Sequence, residues 1–204
     1  MGALQNISSI IQVFLLNNGI FCILLSSLVI FVESIAPCMP LGVFCTSIFY
    51  SYGNTYGLLI CWISTVLGCI ASYKLCNKYI RGFIENKLIT KLGYKNQERI
   101  ENIISYINRL SLSGLTLIIA CPFTPAFVFN IAAGLANVDK RKLYPALIIG
   151  KPFMIYFFGT IGVSLLESFN NPFILLKVGV MLMIAYALSK VCDYIIKNNE
   201  EEAW

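Results

Sequence analysis

Pro37-Cys-Met-Pro40-Leu-Gly-Val43-Phe44 and Pro122-Phe-Thr-Pro125-Ala-Phe-Val128-Phe129 share the pattern P-x-x-P-x-x-V-F at a constant offset of 85 residues. The chain has seven prolines in all, so four of them in one repeated pattern is not a chance arrangement. Proline lacks an amide donor and clashes with the preceding helical turn, so each motif breaks a helix. Both motifs lie in stretches without Asp, Glu, Lys or Arg: Ser34 to Tyr73 runs 40 residues and Leu110 to Val138 runs 29. About 20 apolar residues suffice to cross a bilayer, so each stretch has room for a broken element inside a membrane. Each motif also has an amphipathic segment upstream and a candidate spanning helix downstream. The chain therefore reads as two units of the order interfacial helix, broken apolar hairpin, spanning helix.

Composition agrees with that reading. Of 204 residues, 58% are hydrophobic and 12% are charged, with a mean hydropathy of +0.77. An average soluble domain is about 25% charged, so soluble enzymes and nucleic-acid-binding proteins are excluded as classes. The eight cysteines lie almost entirely in the apolar stretches, form no C-x-x-C pair, and have no histidine anywhere to accompany them. They read as small buried packing residues rather than as metal ligands or nucleophiles, and no cofactor or metal is expected. The first residues lack the basic region of a secretory signal, so Met1 onward is expected to be retained.

Leu4, Ile7, Ile11 and Phe14 form a helical stripe that Asn17-Asn18-Gly19 ends, which suggests an uncharged interfacial helix. Ile20 to Val32 is only 13 residues long before Glu33, Pro37 and Pro40, and by pattern alone it is as readily a half-membrane segment as a span. The repeat favours a re-entrant hairpin there. Gly57 to Lys78 reads as a spanning helix, followed by charged surface-lying amphipathic segments from Arg81 to Arg109. Leu143 to Leu166 and Phe173 to Val191 read as two further spans.

Charge placement orients these elements. Residues 74–109, 139–142 and 190 onward carry 8, 3 and 2 Lys/Arg, which is 13 of the 15, while the first 56 residues and 167–172 carry none. By the positive-inside rule the basic regions and the C-terminus face the cytoplasm, in keeping with the net charge of +5. The first hairpin then enters from outside and the second from inside, so the units are inverted and both tips reach toward the midplane. The expected architecture is an all-α polytopic protein of the cell membrane, one membrane domain over residues 1–204. Within it, 1–78 is the first repeat, 79–166 the second, and 167–204 a C-terminal span and tail.

Glu33-x-x-x-Pro37-x-x-Pro40, Pro122-Phe-Thr-Pro125 through Asn130-Ile-Ala-Ala-Gly134-Leu, and Gly150-Lys151 together resemble the DedA superfamily, whose members carry the VTT or SNARE-associated domain. The resemblance covers roughly residues 20 to 166. It implies two facing re-entrant hairpins and a role in moving lipids, either polyprenyl-phosphate carriers or phospholipids. Proton-linked roles and envelope maintenance are also ascribed to relatives. An arginine usual two or three residues before the second-half proline is replaced here by Ala120 and Ile119, and Leu41-Gly42 follows the first motif where an acidic residue is common.

Four residues are candidates for substrate contact: Glu33, Lys151, Asn130 and Thr124. Glu33 is the only acid in the first 84 residues and lies four residues before a tip, where an ionised group costs about 2.5 to 3.5 kcal/mol on insertion scales. It reads as a protonatable or paired group, or else as a glutamate reaching the interface from a helix end. Lys151 lies nine residues into a span, about 13 Å deep at 1.5 Å per residue, and is flanked by Gly150 and Pro152. Pro152 disfavours helical geometry at Lys151 itself, which would free carbonyls beside the ammonium. A fixed cation there suits an anionic head group and could stand in for the missing arginine, without its bidentate geometry; it could equally neutralise Glu33. Asn130, Thr46 and Thr124 could line a polar groove or simply bond neighbouring carbonyls. Gly134 suggests close helix packing. Pro37, Pro40, Pro122 and Pro125 form the hairpin tips.

These residues suit a lipid transporter or scramblase in which facing tips make a polar cleft, Lys151 attracts a lipid phosphate, and Glu33 exchanges a proton or balances charge. A proton-coupled exchanger for a small ion would use the same two residues, and a non-transporting membrane-organising role remains open. An intramembrane enzyme fits worst, since no acidic pair and no nucleophile beside a base is present. The expected partners are membrane lipids, their phosphate head groups and protons, with no nucleic acid.

Overall fold

The computed structural model describes residues 19–36, 40–80, 105, 107–122, 126–168, 171 and 173–201, with side chains described as far as Lys190. The interfacial helix expected over Leu4 to Phe14 and most of the amphipathic region from Arg81 to Arg109 lie outside these residues. So do Pro37, Thr124 and Pro125.

Six α-helices are seen among the described residues. They are α1 (Gly19–Ile35), α2 (Leu41–Leu75), α3 (Leu112–Ala120), α4 (Ala126–Leu135), α5 (Lys140–Ser168) and α6 (Ile174–Glu201), with a π-helical turn over Cys76–Ile80 after α2. No strand occurs among them. The two proline motifs fall between α1 and α2 and between α3 and α4. Pro40 caps α2 in an extended conformation, and Cys121 is extended (ψ 120°) because the residue before a proline is pushed out of the helical region.

Helix α2 is two helices that meet at Gly53, whose φ of 77° and ψ of 172° only glycine adopts without strain. The chain doubles back there. Phe49 packs on Gly57, so closely that a methyl group on Gly57 would lie 2.9 Å from the Phe49 Cα. Positions equidistant from Gly53 thus face each other, and Cys45 and Cys61 are buried together in one cluster by the same register.

Helix α5 is the central element, packing on α2, α3 and α6. Gly42 meets Phe158, and Thr46, one turn later, meets Gly162. The arm over 41–52 therefore runs parallel to the C-terminal half of α5. Further down, Gly150 lets α3 approach until a methyl group would lie 2.9 Å from the Thr116 carbonyl oxygen.

Two apolar clusters are threaded by this helix. Leu143, Ala146 and Leu147 pack with Cys69, Tyr73, Leu115, Ile119 and Ala133, while Ile155 packs with Ile30, Cys45, Phe49 and Cys61. Outside, the pattern is reversed relative to a water-soluble protein. Helix α1 exposes Ile20, Phe21, Leu24, Leu25, Leu28 and Val32 along one stripe, whereas Glu33, Ser64, Thr65, Ser72, Asn130 and Lys151 are buried. A continuous apolar exterior over a partly polar interior suits lipid rather than water as the surrounding solvent.

Two helical stretches contain a segment long and apolar enough to cross a membrane, the arm of Leu41–Tyr79 that follows the Gly53 turn and Lys140–Ser168, and less than half of the apolar segment of each is buried within the chain. Of the third span expected over 173–191, the apolar part is Ile174–Ala187, which is shorter. Fourteen residues rise only about 21 Å, less than the roughly 30 Å of a hydrocarbon core.

Local capping explains the remaining boundaries. Ser111 starts α3 by accepting from the Gly114 amide, and Asp139 starts α5 by accepting from the Arg141 amide. Helix α4 ends in a Schellman arrangement: Val138 N donates to Ala133 O and Asn137 N to Gly134 O, with Asn137 at φ 50° taking the place usually held by glycine.

Candidate functional site

Lys151 lies on α5 between Leu147 of one apolar cluster and Ile155 of the other, and is only 2% exposed. Its Nζ makes one polar contact among the described residues, a 3.9 Å approach to the thioether sulfur of Met154. A thioether is a weak acceptor and carries no charge, so among the described residues no anion stands beside the buried ammonium. Such a placement is costly in a medium of low dielectric constant.

The helix around Lys151 is not broken. Residues 140–168 form one continuous helix that includes Pro145 and Pro152, so the expected departure from helical geometry at Lys151 does not occur. The carbonyl that loses its donor is four residues before Pro152, at Ile148. There the indole Nε1 of Trp62 donates to Ile148 O at 3.0 Å, from 86 residues away in the chain. An aromatic N–H from α2 thus replaces the missing proline amide, and α5 continues past its own breaker.

Both helix breaks are held against the same stretch of α5. Ile119, near the end of α3, packs on Gly150, and Gly42, just after Pro40, packs on Phe158. These two contact points are separated along α5 by about 12 Å at 1.5 Å per residue. Lys151 stands within that interval.

Glu33 is 7% exposed near the end of α1. The neighbouring Ser34 side chain and Phe31 carbonyl press on Gly68 of α2, where a methyl group would lie 2.6 Å from the Ser34 Cβ and 2.7 Å from the Phe31 oxygen. Gly68 therefore fixes the depth at which α1 ends. The Ser34 hydroxyl donates back to the Ile30 carbonyl at 2.8 Å. Asn130 on α4 is 3% exposed, and its Nδ2 is buried with no hydrogen-bond partner. Thr65, midway between Cys61 and Cys69 on the buried face of α2, likewise has a buried hydroxyl without a partner. The hydroxyl of Thr65 was not marked out by spacing or charge, since a threonine in an apolar helix ordinarily bonds the carbonyl of the preceding turn. Thr46 does so, donating to Gly42 O at 2.7 Å, and it packs against Gly162 rather than lining a groove.

The described interior thus holds an ammonium, a primary amide and a hydroxyl without a hydrogen-bonded oxygen among the described residues. Each is a donor that can stabilise negative charge or a phosphate oxygen. Gly134 has a packing role: a methyl group there would lie 2.6 Å from the Cys76 Cβ. The described cysteines 22, 45, 61, 69, 76 and 121 are all buried. No group of three metal-ligating side chains occurs among the described residues.

Comparison with known proteins places this arrangement. The model of the VTT domain matches residues 37–164, which spans both helix breaks and most of α5. The chain is 26% identical over 174 residues to the uncharacterized membrane protein YhjE of Bacillus subtilis strain 168, covering 84% of this chain and 81% of the relative. It is 27% identical over 177 residues to the Golgi apparatus membrane protein TVP38 of Eremothecium gossypii, covering 85% of this chain but 56% of that longer protein. No solved structure matches the chain. With the family model covering more than half of the sequence and both relatives being membrane proteins, this chain belongs to the VTT-domain family of the DedA superfamily and is an all-helical membrane protein.

Proposed function

We propose that this protein moves lipids across the bilayer, as a scramblase or as a translocase of polyprenyl phosphates or phospholipids, through a cleft between two facing re-entrant hairpins. The observation that carries the reading is Lys151, a buried ammonium whose one polar contact among the described residues is the Met154 sulfur. A lipid phosphate brought to that point supplies the missing anion, and its acyl chains stay in the surrounding hydrocarbon.

Helix lengths support the hairpin geometry. With the Gly53 turn at the outer surface, the arm over 41–52 descends about 18 Å, and the 15 residues from Gly53 to Gly68 descend about 22 Å. The first break then lies near or just past the middle of a roughly 30 Å core. Contact of Ile119 with Gly150 and of Gly42 with Phe158, on either side of Lys151, supports tips that approach one another. Glu33, held near the same depth by Gly68, exchanges a proton or balances charge as the phosphate arrives and leaves. Asn130 and Thr124 contribute polar contacts beside the tips. The basic regions and the C-terminus face the cytoplasm of the cell membrane.

A proton-coupled exchanger of a small ion is the second reading, favoured by the burial of both Glu33 and Lys151. Reconstitution separates them. Liposomes holding the purified protein are loaded with a fluorescent phospholipid whose label can be quenched only in the outer leaflet, and matched vesicles carry a proton-sensitive dye. Quenching beyond half of the label supports lipid movement. Ion-dependent proton flux with half of the label protected identifies the exchanger.

A further inference from the structure

Away from its ends a helix satisfies its own backbone except where a proline removes a donor, and Pro152, adjacent to Lys151, is such a proline in the interior of α5. The Ile148 carbonyl freed by Pro152 lies on a residue that is 44% exposed, at the seam between α2 and α5. Hydrocarbon cannot supply a hydrogen bond there. The Trp62 indole supplies it at 3.0 Å, from a partly buried side chain that packs on the cluster of Ile30, Phe49 and Ile155. We propose that Trp62 is a positioning residue: by capping the Ile148 carbonyl it holds a latent hinge at Pro152 in its observed helical form, and so fixes where the Lys151 ammonium meets a lipid phosphate.

The physical logic has two parts. Proline within a helix lowers the local resistance to bending, since one hydrogen bond is missing and the ring presses on the carbonyl of the preceding turn. Lys151 is the residue immediately before that point, so a bend there swings the half of α5 that carries Met154 and Ile155 relative to the half that carries Gly150 and Leu147. The ammonium then leaves the interval between the two helix breaks. A hydrogen bond from a neighbouring helix removes that freedom without adding any contact to the substrate.

This inference rests on the reading that Lys151 binds the anion, and the test separates the two. Trp62→Phe keeps an aromatic ring and removes the N–H. Pro152→Ala returns an amide that can donate to Ile148 O, which makes the indole dispensable. Lipid flux is measured in proteoliposomes for wild type, the two single variants and the double variant, together with amide hydrogen exchange over residues 146–156. Trp62→Phe is expected to lower flux about tenfold, the loss of one hydrogen bond together with an orphaned carbonyl, and to speed exchange in that segment. In the Pro152→Ala background, the same Trp62→Phe change is expected to alter neither quantity.

Equal losses in the two backgrounds would show that Trp62 acts by packing, and would overturn the proposal. Unchanged exchange in Trp62→Phe would overturn it as well. If wild type moves no lipid, the reading of function fails, while exchange that quickens only in the single Trp62→Phe variant still upholds the latch on the Pro152 hinge.

Discussion

The Tyr73 hydroxyl donates to the Val138 carbonyl at 2.8 Å, joining residues 65 positions apart in a fully buried contact. Two more side chains act on the same helix end. Asn77 Nδ2 lies 3.1 Å from Gly134 O and 2.8 Å from the Asn137 side-chain oxygen, and Asn108 Nδ2 donates to Ala136 O at 2.8 Å. The carbonyls of Gly134, Ala136 and Val138, at and just past the end of α4, are thereby satisfied by donors from α2, from the turn that follows it, and from the segment before α3. Helix ends leave carbonyls unpaired, and within a membrane no water is present to take them. The two halves of the chain are fastened at this point.

Tyr73→Phe should therefore destabilise the fold by about 1–3 kcal/mol, because it leaves a buried carbonyl without its donor while barely changing volume. Thermal unfolding in detergent measures this. A midpoint equal to that of wild type would mean that Val138 O finds another donor.

Gly53→Ala tests the turn in α2. No atom would lie within 4 Å of the added methyl group, so any effect arises from backbone strain at φ 77° and ψ 172° rather than from crowding. A loss of about 1–3 kcal/mol is expected. Gly57→Ala, four residues on, meets the Phe49 backbone instead and should be at least as harmful, because Phe49 is buried in the cluster that holds α1 and α5 together.

Much of this fold is legible in the sequence, and the two helix breaks show why. Proline acts locally, so P-x-x-P at 37–40 and 122–125 marks the ends of α1 and α3 and the starts of α2 and α4 without knowledge of neighbours. Gly134 was legible for a similar reason: a glycine in an apolar helix signals close approach, and Cys76 is what approaches. The partners of Tyr73, Asn77 and Trp62 were not. Each is a polar atom in an apolar helix whose acceptor is a carbonyl 57 to 86 residues away, and spacing along the chain carries no trace of it. One signal was present. Pro152 must free Ile148 O, and Trp62 carries the one indole N–H that precedes it in the sequence, a donor with no acceptor role of its own. The expectation that α5 would distort at Lys151 failed because it left that donor out.

The orientation of the chain can be tested at Asn54, which is exposed beside the Gly53 turn. With Asn54→Cys in a background lacking native cysteines, a membrane-impermeant maleimide is expected to label intact cells from outside. Labelling only after the cytoplasmic face is opened would reverse the proposed topology and remove the inverted arrangement of the hairpins.

Approach of the two tips can be measured with cysteines at Met39 and Thr124. Efficient crosslinking by a short bifunctional reagent is expected, given that Gly42 and Ile119 contact points lie within about 12 Å along α5. Absence of crosslinking at every reagent length up to that span would separate the breaks and leave Lys151 outside a shared cleft.

The central claim is that Lys151 handles the phosphate and Glu33 works with it, rather than the two serving only to balance buried charge. Lipid flux in proteoliposomes is measured for wild type, Lys151→Met, Glu33→Gln and the double variant, each at matched amounts of folded protein. Lys151→Met is expected to abolish movement of lipids with a phosphate head group, and Glu33→Gln to fold and lose pH dependence. The double variant is expected to fold yet remain inactive, since removing both charges relieves their burial but restores no site for the anion. Full transport by the double variant would contradict the account, because it would show that neither charge touches the substrate.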